Sequence, residues 1–124
     1  MFLQPKSRLN FYSTEQLLTE IEEHKGKLQK ISKYSDSELN RAILLITNRI
    51  RFINVKLIPK EIYQKAVNLT IDVDIDDTEF VALTEHIKAK LWSGDKELFQ
   101  GLRKKKWNKI ITTDELYNLA FGKL

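Results

Sequence analysis

The sequence predicts an α/β fold: three layers, with helices on both faces of a mostly parallel sheet. Short apolar strand-like runs alternate with amphipathic helical stretches along the chain, the pattern of strands joined by helical crossovers. Several helical stretches open on a Ser or Thr followed three residues later by Glu or Gln, which satisfies backbone N–H groups at a helix start. Glycine and proline number only 4 and 2, so there is little material for a linker or a long loop.

The elements follow in order. Asn10-Phe11-Tyr12 is a short aromatic strand candidate. Ser13-Thr14-Glu15-Gln16 carries the capping-box pattern, and Leu17, Ile21, Leu28 and Ile31 then recur at helical spacing with His24 in the gap. Ser35-Asp36-Ser37-Glu38 opens a second helix, with Leu39, Ala42, Ile43, Ile46 and Ile50 on its inner face. From Phe52 to Leu57, Ile53, Val55 and Leu57 alternate with Phe52, Asn54 and Lys56, which predicts a strand. Pro59 opens a third helix at the first-turn position it tolerates, and Ile62, Ala66 and Leu69 mark its buried face. Asp76 or Asp77 caps a fourth, with Phe80, Leu83 and Ile87 inward. A short strand is expected from Ala89 to Trp92 and a helix from Asp95, carrying Leu98, Phe99 and Leu102. Lys109 to Thr112 is the last strand, and Thr112-Thr113-Asp114-Glu115 caps the final helix.

Composition bounds the function. A chain of 124 residues fits a single domain, residues 1–124, with enough surface to bury for a core. Cysteine is absent, which excludes disulfides, thiolate metal sites and cysteine nucleophiles. With His24 and His86 the only histidines, a catalytic metal would have to sit on carboxylates. No apolar run approaches the roughly 18 residues of a membrane span, and Met1-Phe2-Leu3-Gln4-Pro5 lacks the apolar stretch of a signal peptide. The expectation is a cytoplasmic protein without a membrane partner. A net charge of +4 permits a nucleic-acid partner without demanding one.

Ligands of open α/β sheets bind outside the carboxyl ends of the strands. Asp95 stands there, just after Trp92, and Asp77 ends the acidic run Asp72-Val73-Asp74-Ile75-Asp76-Asp77 at a helix start. Glu20 lies two turns into the first helix. If these converged they would offer hard oxygen ligands to Mg²⁺ or Mn²⁺. The competing explanation is that Asp at helix starts serves stability alone.

Three segments resemble the PIN-domain family of Mg²⁺/Mn²⁺-dependent nucleases. Leu17-Leu18-Thr19-Glu20-Ile21-Glu22-Glu23-His24-Lys25 is similar to the family's helix with a catalytic Glu. Asp74-Ile75-Asp76-Asp77-Thr78-Glu79-Phe80-Val81-Ala82-Leu83 resembles the helix opening with its central Asp, and Leu91-Trp92-Ser93-Gly94-Asp95-Lys96-Glu97-Leu98 its T/S-G-D-K-x-L turn. Ile110-Ile111-Thr112-Thr113-Asp114-Glu115-Leu116 is similar to bacterial and archaeal members. Carried over residue by residue, the resemblance implies Glu20, Asp77 and Asp95 as catalytic, metal-binding acids. It implies Asp74 as an accessory ligand and Ser93 as the residue that orients the site. It also implies a ribonuclease that uses Mg²⁺ or Mn²⁺ to activate water against a phosphodiester of single-stranded RNA. An antitoxin protein would be a further partner if the chain is the toxin of a toxin–antitoxin pair.

One departure stands out. The family opens on a hydrophobic strand ending in Asp, and no Asp precedes Phe11 here. The expectation is a PIN-like fold truncated at its N-terminus, lacking that strand and its helix, with a weakened metal site. Its exposed sheet edge would be covered by self-association into a homo-oligomer. The alternative is a catalytically inactive module that binds nucleic acid or another protein.

Arg103, Lys104, Lys105, Lys106 and Trp107 form the one basic cluster in the sequence. It could track a phosphate backbone with Trp107 stacked on a base, or be a solvated helix end whose cations favour the dipole. Trp92, Phe11, Tyr12, Phe52 and Phe80 read most simply as core, His24 as a partly buried histidine, and Gly94 as the maker of a tight turn before Asp95.

Overall fold

The computed structural model describes residues 9–121, and these form an α/β protein of helices and short parallel strand pairs. The chain packs as two compact units, Asn10–Asn54 and the residues from Val55 onward.

In the first unit, β1 (Phe11–Ser13) leads through α1 (Gln16–Glu23), α2 (Lys25–Ser32) and α3 (Asp36–Thr47) to β2 (Ile50–Phe52). The strands run parallel, Phe11 opposite Ile50 and Ser13 opposite Phe52. A parallel pair needs a crossover, and the three helices supply it. α3 starts on a complete capping box: Ser35 Oγ accepts from the Glu38 N–H at 3.2 Å, and Glu38 Oε1 accepts from the Ser35 N–H at 2.8 Å.

The similar pattern at Ser13-Thr14-Glu15-Gln16 does not cap. Ser13 still belongs to β1, Ser13 and Thr14 are both buried, and Glu15, at the N-cap of α1, makes no side-chain cap bond. The expected first helix is two helices, parted at His24 (φ −104°). His24 is exposed rather than partly buried, and its Nδ1 lies 2.9 Å from the Glu20 carbonyl oxygen. Beyond that bend the apolar stripe leaves the interior: Leu28 and Ile31 are exposed. The strand expected from Phe52 to Leu57 is shifted. β2 ends at Phe52, and Val55–Leu57 is a single 3₁₀ turn closed by the Ile58 N–H on the Val55 carbonyl at 3.0 Å. Arg49-Ile50-Arg51-Phe52 alternates as well as the later run does, but Ile50 follows Ile46 by one helical turn and so reads as helix.

In the second unit, α4 (Lys60–Thr70) and α5 (Thr78–Ile87) precede β3 (Leu91–Trp92), α6 (Lys96–Lys104), β4 (Ile110–Ile111) and α7 (Thr113–Phe121). β3 and β4 pair in parallel, Leu91 opposite Ile110 and Trp92 opposite Ile111, with α6 as the crossover. The core is Ile58, Ala66, Val81, Ala82, Leu83, Leu98, Leu102, Trp107, Ile110 and Ile111. Pro59 is the N-cap of α4 rather than its first residue. The capping box of α7 forms as expected, with Thr112 and Glu115 exchanging bonds of 2.9 and 3.1 Å. Among the described residues no helix is long and apolar enough to cross a membrane.

One polar group ties this core together. The Glu85 side chain, 9% exposed, accepts from Trp107 Nε1–H at 2.6 Å and from Lys65 at 3.3 Å, and pairs with Lys109 at 3.0 Å. Burial pushes its pKa up, but the hydrogen bonds from Trp107, Lys109 and Lys65 outweigh burial and hold it below the ordinary glutamate value. A depressed folded pKa stabilises the fold above the unfolded value, about 4.3, and that contribution is lost as pH falls through the folded value. Glu85→Ala, which strips the Trp107 indole of its acceptor, is expected to cost about 1–3 kcal/mol at neutral pH. Glu85→Gln should narrow its stability gap to the wild type as the pH drops below about 4. Urea midpoints across a pH series measure both effects.

Candidate metal centre

Asp74, Asp77 and Asp95 come together in the second unit, offering one ligand atom each with all three atoms within 4.8 Å of one another. Asp74 and Asp77 are half-buried and Asp95 is exposed. They arrive from two places. Past α4, the Val73 and Asp74 N–H groups both donate to the Thr70 carbonyl, at 2.9 and 2.8 Å. Asp74 is extended (φ −159°, ψ 97°) and its Oδ1 accepts from the Asp76 N–H at 3.1 Å. One 3₁₀ turn, Ile75–Asp77, then leads into α5. Asp77 occupies the N-cap of α5 but makes no side-chain cap hydrogen bond, so the capping part of the stability explanation does not apply to it.

The acidic turn is braced from below. Thr70 Oγ1 and Thr78 Oγ1, both buried, lie 2.6 Å apart. Each hydroxyl also has a carbonyl within reach, Ala66 at 2.9 Å from Thr70 and Ile75 at 2.7 Å from Thr78; with one proton each, one hydroxyl donates to the other and the second donates to its carbonyl. The two hydroxyls clamp the end of α4 to the start of α5, with Asp74 and Asp77 on the turn between.

Asp95 is carried by α6. Its Oδ1 caps that helix, accepting from the Glu97 and Leu98 N–H groups at 3.0 and 3.2 Å. An ionised carboxylate has about four acceptor sites, so capping leaves capacity for a cation. Ser93 Oγ accepts from the Asp95 N–H at 3.0 Å, which makes Ser93 the residue that sets the Asp95 backbone. Gly94 does not make the turn by glycine's conformational freedom: among the described glycines none has positive φ, and the space around a Cβ at Gly94 is open.

The placement of α6 depends on Gly101. A Cβ there would fall 2.6 Å from Val73 Cγ1, so the helix lies directly on the residue before Asp74. One turn later Lys105 Nζ donates to the carbonyls of Asn68 and Leu69, at 3.4 and 2.9 Å, and pairs with Asp72. These contacts fasten α6 along the end of α4 and the acidic turn.

The donor set fits a hard divalent cation. Three carboxylates this close repel one another, and a cation among them reverses the sign. Oxygen-only ligands suit Mg²⁺ and Mn²⁺, whereas soft metals call for sulfur. Glu20, the remaining acid of the expected set, belongs to the Asn10–Asn54 unit, where it is half-buried on α1 and accepts from Gln16 Nε2 at 2.9 Å.

The basic cluster is largely consumed by the fold. Trp107 is buried at 7% exposure, so its ring is closed to a base. Lys105 binds the end of α4, and Arg103 lies 4.6 Å over the Phe99 ring, donates to the Ile110 carbonyl at 3.1 Å and faces Glu115 at 3.6 Å. Lys104 and Lys106 are exposed. Trp92, expected in the core, is 50% exposed. The parity of β3 carried that signal, since successive strand residues point to opposite faces and Leu91 and Ser93 are the more buried neighbours. The bracing roles of Thr70, Thr78 and Gly101 escaped the sequence reading, and Lys105 was read there as a candidate phosphate contact, because nothing in an acidic motif points to the residues that brace it.

Substitution of a helical Gly by Ala ordinarily stabilises by up to about 1 kcal/mol. Gly101→Ala is expected to do the reverse, destabilising by about 1–3 kcal/mol through overpacking against Val73, while Gly94→Ala leaves the urea midpoint unchanged. A Gly101→Ala variant as stable as the wild type would refute the close approach of α6.

A family model described as PIN domain matches residues 1–115. No curated protein and no solved structure matches the chain.

Proposed function

The chain belongs to the PIN-domain family of nucleases, and from that membership and its clustered aspartates we propose that it is a Mg²⁺- or Mn²⁺-dependent ribonuclease that hydrolyses phosphodiester bonds in single-stranded RNA. The carrying observation is the approach of Asp74, Asp77 and Asp95 to within 4.8 Å of one another. When bound, such a cation stabilises the charge that develops on a phosphoryl group and activates a water.

The chain supplies positioning. Asp74 and Asp77 are set by the Thr70–Thr78 clamp, and Asp95 by its own helix cap and by Ser93. Preset ligands need no reorganisation when the phosphate arrives. An anionic strand is repelled by bare carboxylates, so substrate affinity and metal occupancy are coupled in this reading. The family resemblance gives Glu20 a further metal-binding role.

Asp95→Asn is the test. Asn is as good an N-cap as Asp, so the fold is kept while the ligand charge is lost. Mn²⁺ affinity by calorimetry and cleavage of a labelled single-stranded RNA are both expected to fall by about 100-fold or more, beyond the loss typical of an outer-shell partner. Wild-type cleavage by the Asn variant, or a wild-type chain that takes up no Mn²⁺ and cuts no RNA, would sink the ribonuclease reading. Glu20→Gln should also weaken Mn²⁺ binding, and unchanged affinity would remove Glu20 from the ligand set.

A further inference from the structure

Resting on the ribonuclease reading, we propose that Trp92, with Tyr117 beside it on α7, is a stacking platform on which unpaired bases of single-stranded RNA lie next to the acidic centre.

The first ground is exposure. Trp92 is 50% exposed, whereas Trp107 is 7% exposed and packed in the core. Leaving half of an indole in water forgoes much of the largest apolar burial any side chain offers. The second ground is fixity. Trp92 Nε1–H donates to Thr113 Oγ1 at 3.0 Å, so the ring is held by its polar edge rather than left to rotate. An aromatic side chain with few torsions, anchored in advance, loses little entropy on contact with a ligand.

The third ground is position. Trp92 ends β3 at the carboxyl end of the parallel pair, where ligands of α/β sheets bind. The Ser93-Gly94-Asp95 turn begins at the next residue. Three residues of chain span at most about 11 Å, so the indole lies within a few nucleotides of any phosphate held at the aspartates. Thr113, the anchor, is the first residue of α7. Tyr117 follows it by one turn on the same side of that helix and is 61% exposed. Trp92 is thus tied through Thr113 to the helix face on which Tyr117 stands one turn further along. Lys90 and Lys96 flank β3 and the Asp95 turn in sequence, and both are exposed, supplying cations for a phosphate backbone.

This also answers what the buried Trp107 leaves open. Base–aromatic stacking tolerates any sequence because every base has a π-face. The platform therefore favours single strands, whose bases are free to stack, over duplex.

The test uses the full chain and oligoadenylate RNA, read in two ways. Binding is measured with Ca²⁺ in place of Mn²⁺, and steady-state cleavage with Mn²⁺ separates KM from kcat. Trp92→Ala is expected to raise both Kd and KM about tenfold with Mn²⁺ affinity unchanged. Since it gives up the Thr113 bond and the buried half of the indole, it is also expected to lower the urea midpoint while leaving the chain folded under assay conditions. Trp92→Phe, which keeps a ring, should recover most of the loss, and the wild type should bind an abasic RNA as poorly as Trp92→Ala binds oligoadenylate. A wild type that cleaves RNA while Trp92→Ala keeps its Kd and KM would overturn the platform and leave the ribonuclease standing. A wild type that binds oligoadenylate in a Trp92-dependent way yet cuts nothing with Mn²⁺ would support the platform and sink the ribonuclease. No RNA binding by the wild type overturns the platform.

Discussion

The candidate centre depends on how closely α6 lies on the residue before Asp74. At Gly101 there is no room for a methyl group, because Val73 Cγ1 occupies the place a Cβ would take. That contact sets the distance between two chain segments that are remote in sequence: the acidic turn between α4 and α5, and the N-terminus of α6. Lys105 holds the same helix further along by binding carbonyls at the end of α4. A helix fixed at two points cannot swing, so the carboxylate at its far end is placed as firmly as its contacts are. A larger residue at position 101 would push α6 off the turn and spread the aspartates, although none of them would have changed.

Within that frame the aspartates divide their duties differently. Asp95 is both a helix cap and a member of the acidic cluster, and its capping bonds fix the orientation of the carboxylate. Asp77 takes the N-cap position without a side-chain cap bond, so α5 begins without the capping stabilisation of about 1 kcal/mol that such a residue commonly gives. The loss is offset locally. The buried Thr70 and Thr78 hydroxyls bond to each other, the remaining proton going to the Ala66 or the Ile75 carbonyl, and α5 buries Thr78, Val81, Ala82, Leu83 and Thr84. A charged cluster is kept on an element whose other face is secure.

Much of this was legible in the sequence, and the parts that were not share a cause. The capping boxes at Ser35 and Thr112 and the parallel pairing of short strands follow from local patterns, and the family resemblance pointed to Asp74, Asp77 and Asp95, which the fold brings close together. The expected cap at Ser13 failed because the strand before it ran on far enough to take that residue. The shifted β2 failed because Ile50 satisfies both the helical and the strand period. Trp92 and Trp107 exchanged their expected places, exposed and buried. Composition cannot tell which tryptophan has a buried acid waiting for its N–H, and Glu85 lies 22 residues before Trp107. What local pattern does not contain is tertiary partnership, and the braces of the site, Gly101 on Val73 and Thr70 on Thr78, are of that kind.

The use made of the basic cluster bears on how a substrate could be held. Four lysines and arginines in a row within seven residues look like a phosphate track. Yet Lys105 closes the end of α4 and Arg103 is shared among Phe99, Ile110 and Glu115. A cation already bound to backbone carbonyls and a carboxylate releases few counterions when a phosphate arrives, and counterion release is the main source of non-specific affinity for nucleic acid. With a net charge of only +4, long-range attraction is modest too. In the proposed ribonuclease, affinity for a strand would then rest mainly on short-range contacts: a cation among the aspartates, the Trp92 surface, and the exposed Lys90 and Lys96. Of these, the stacking contact is less sensitive to salt than a basic groove, and it alone requires a strand whose bases are unpaired.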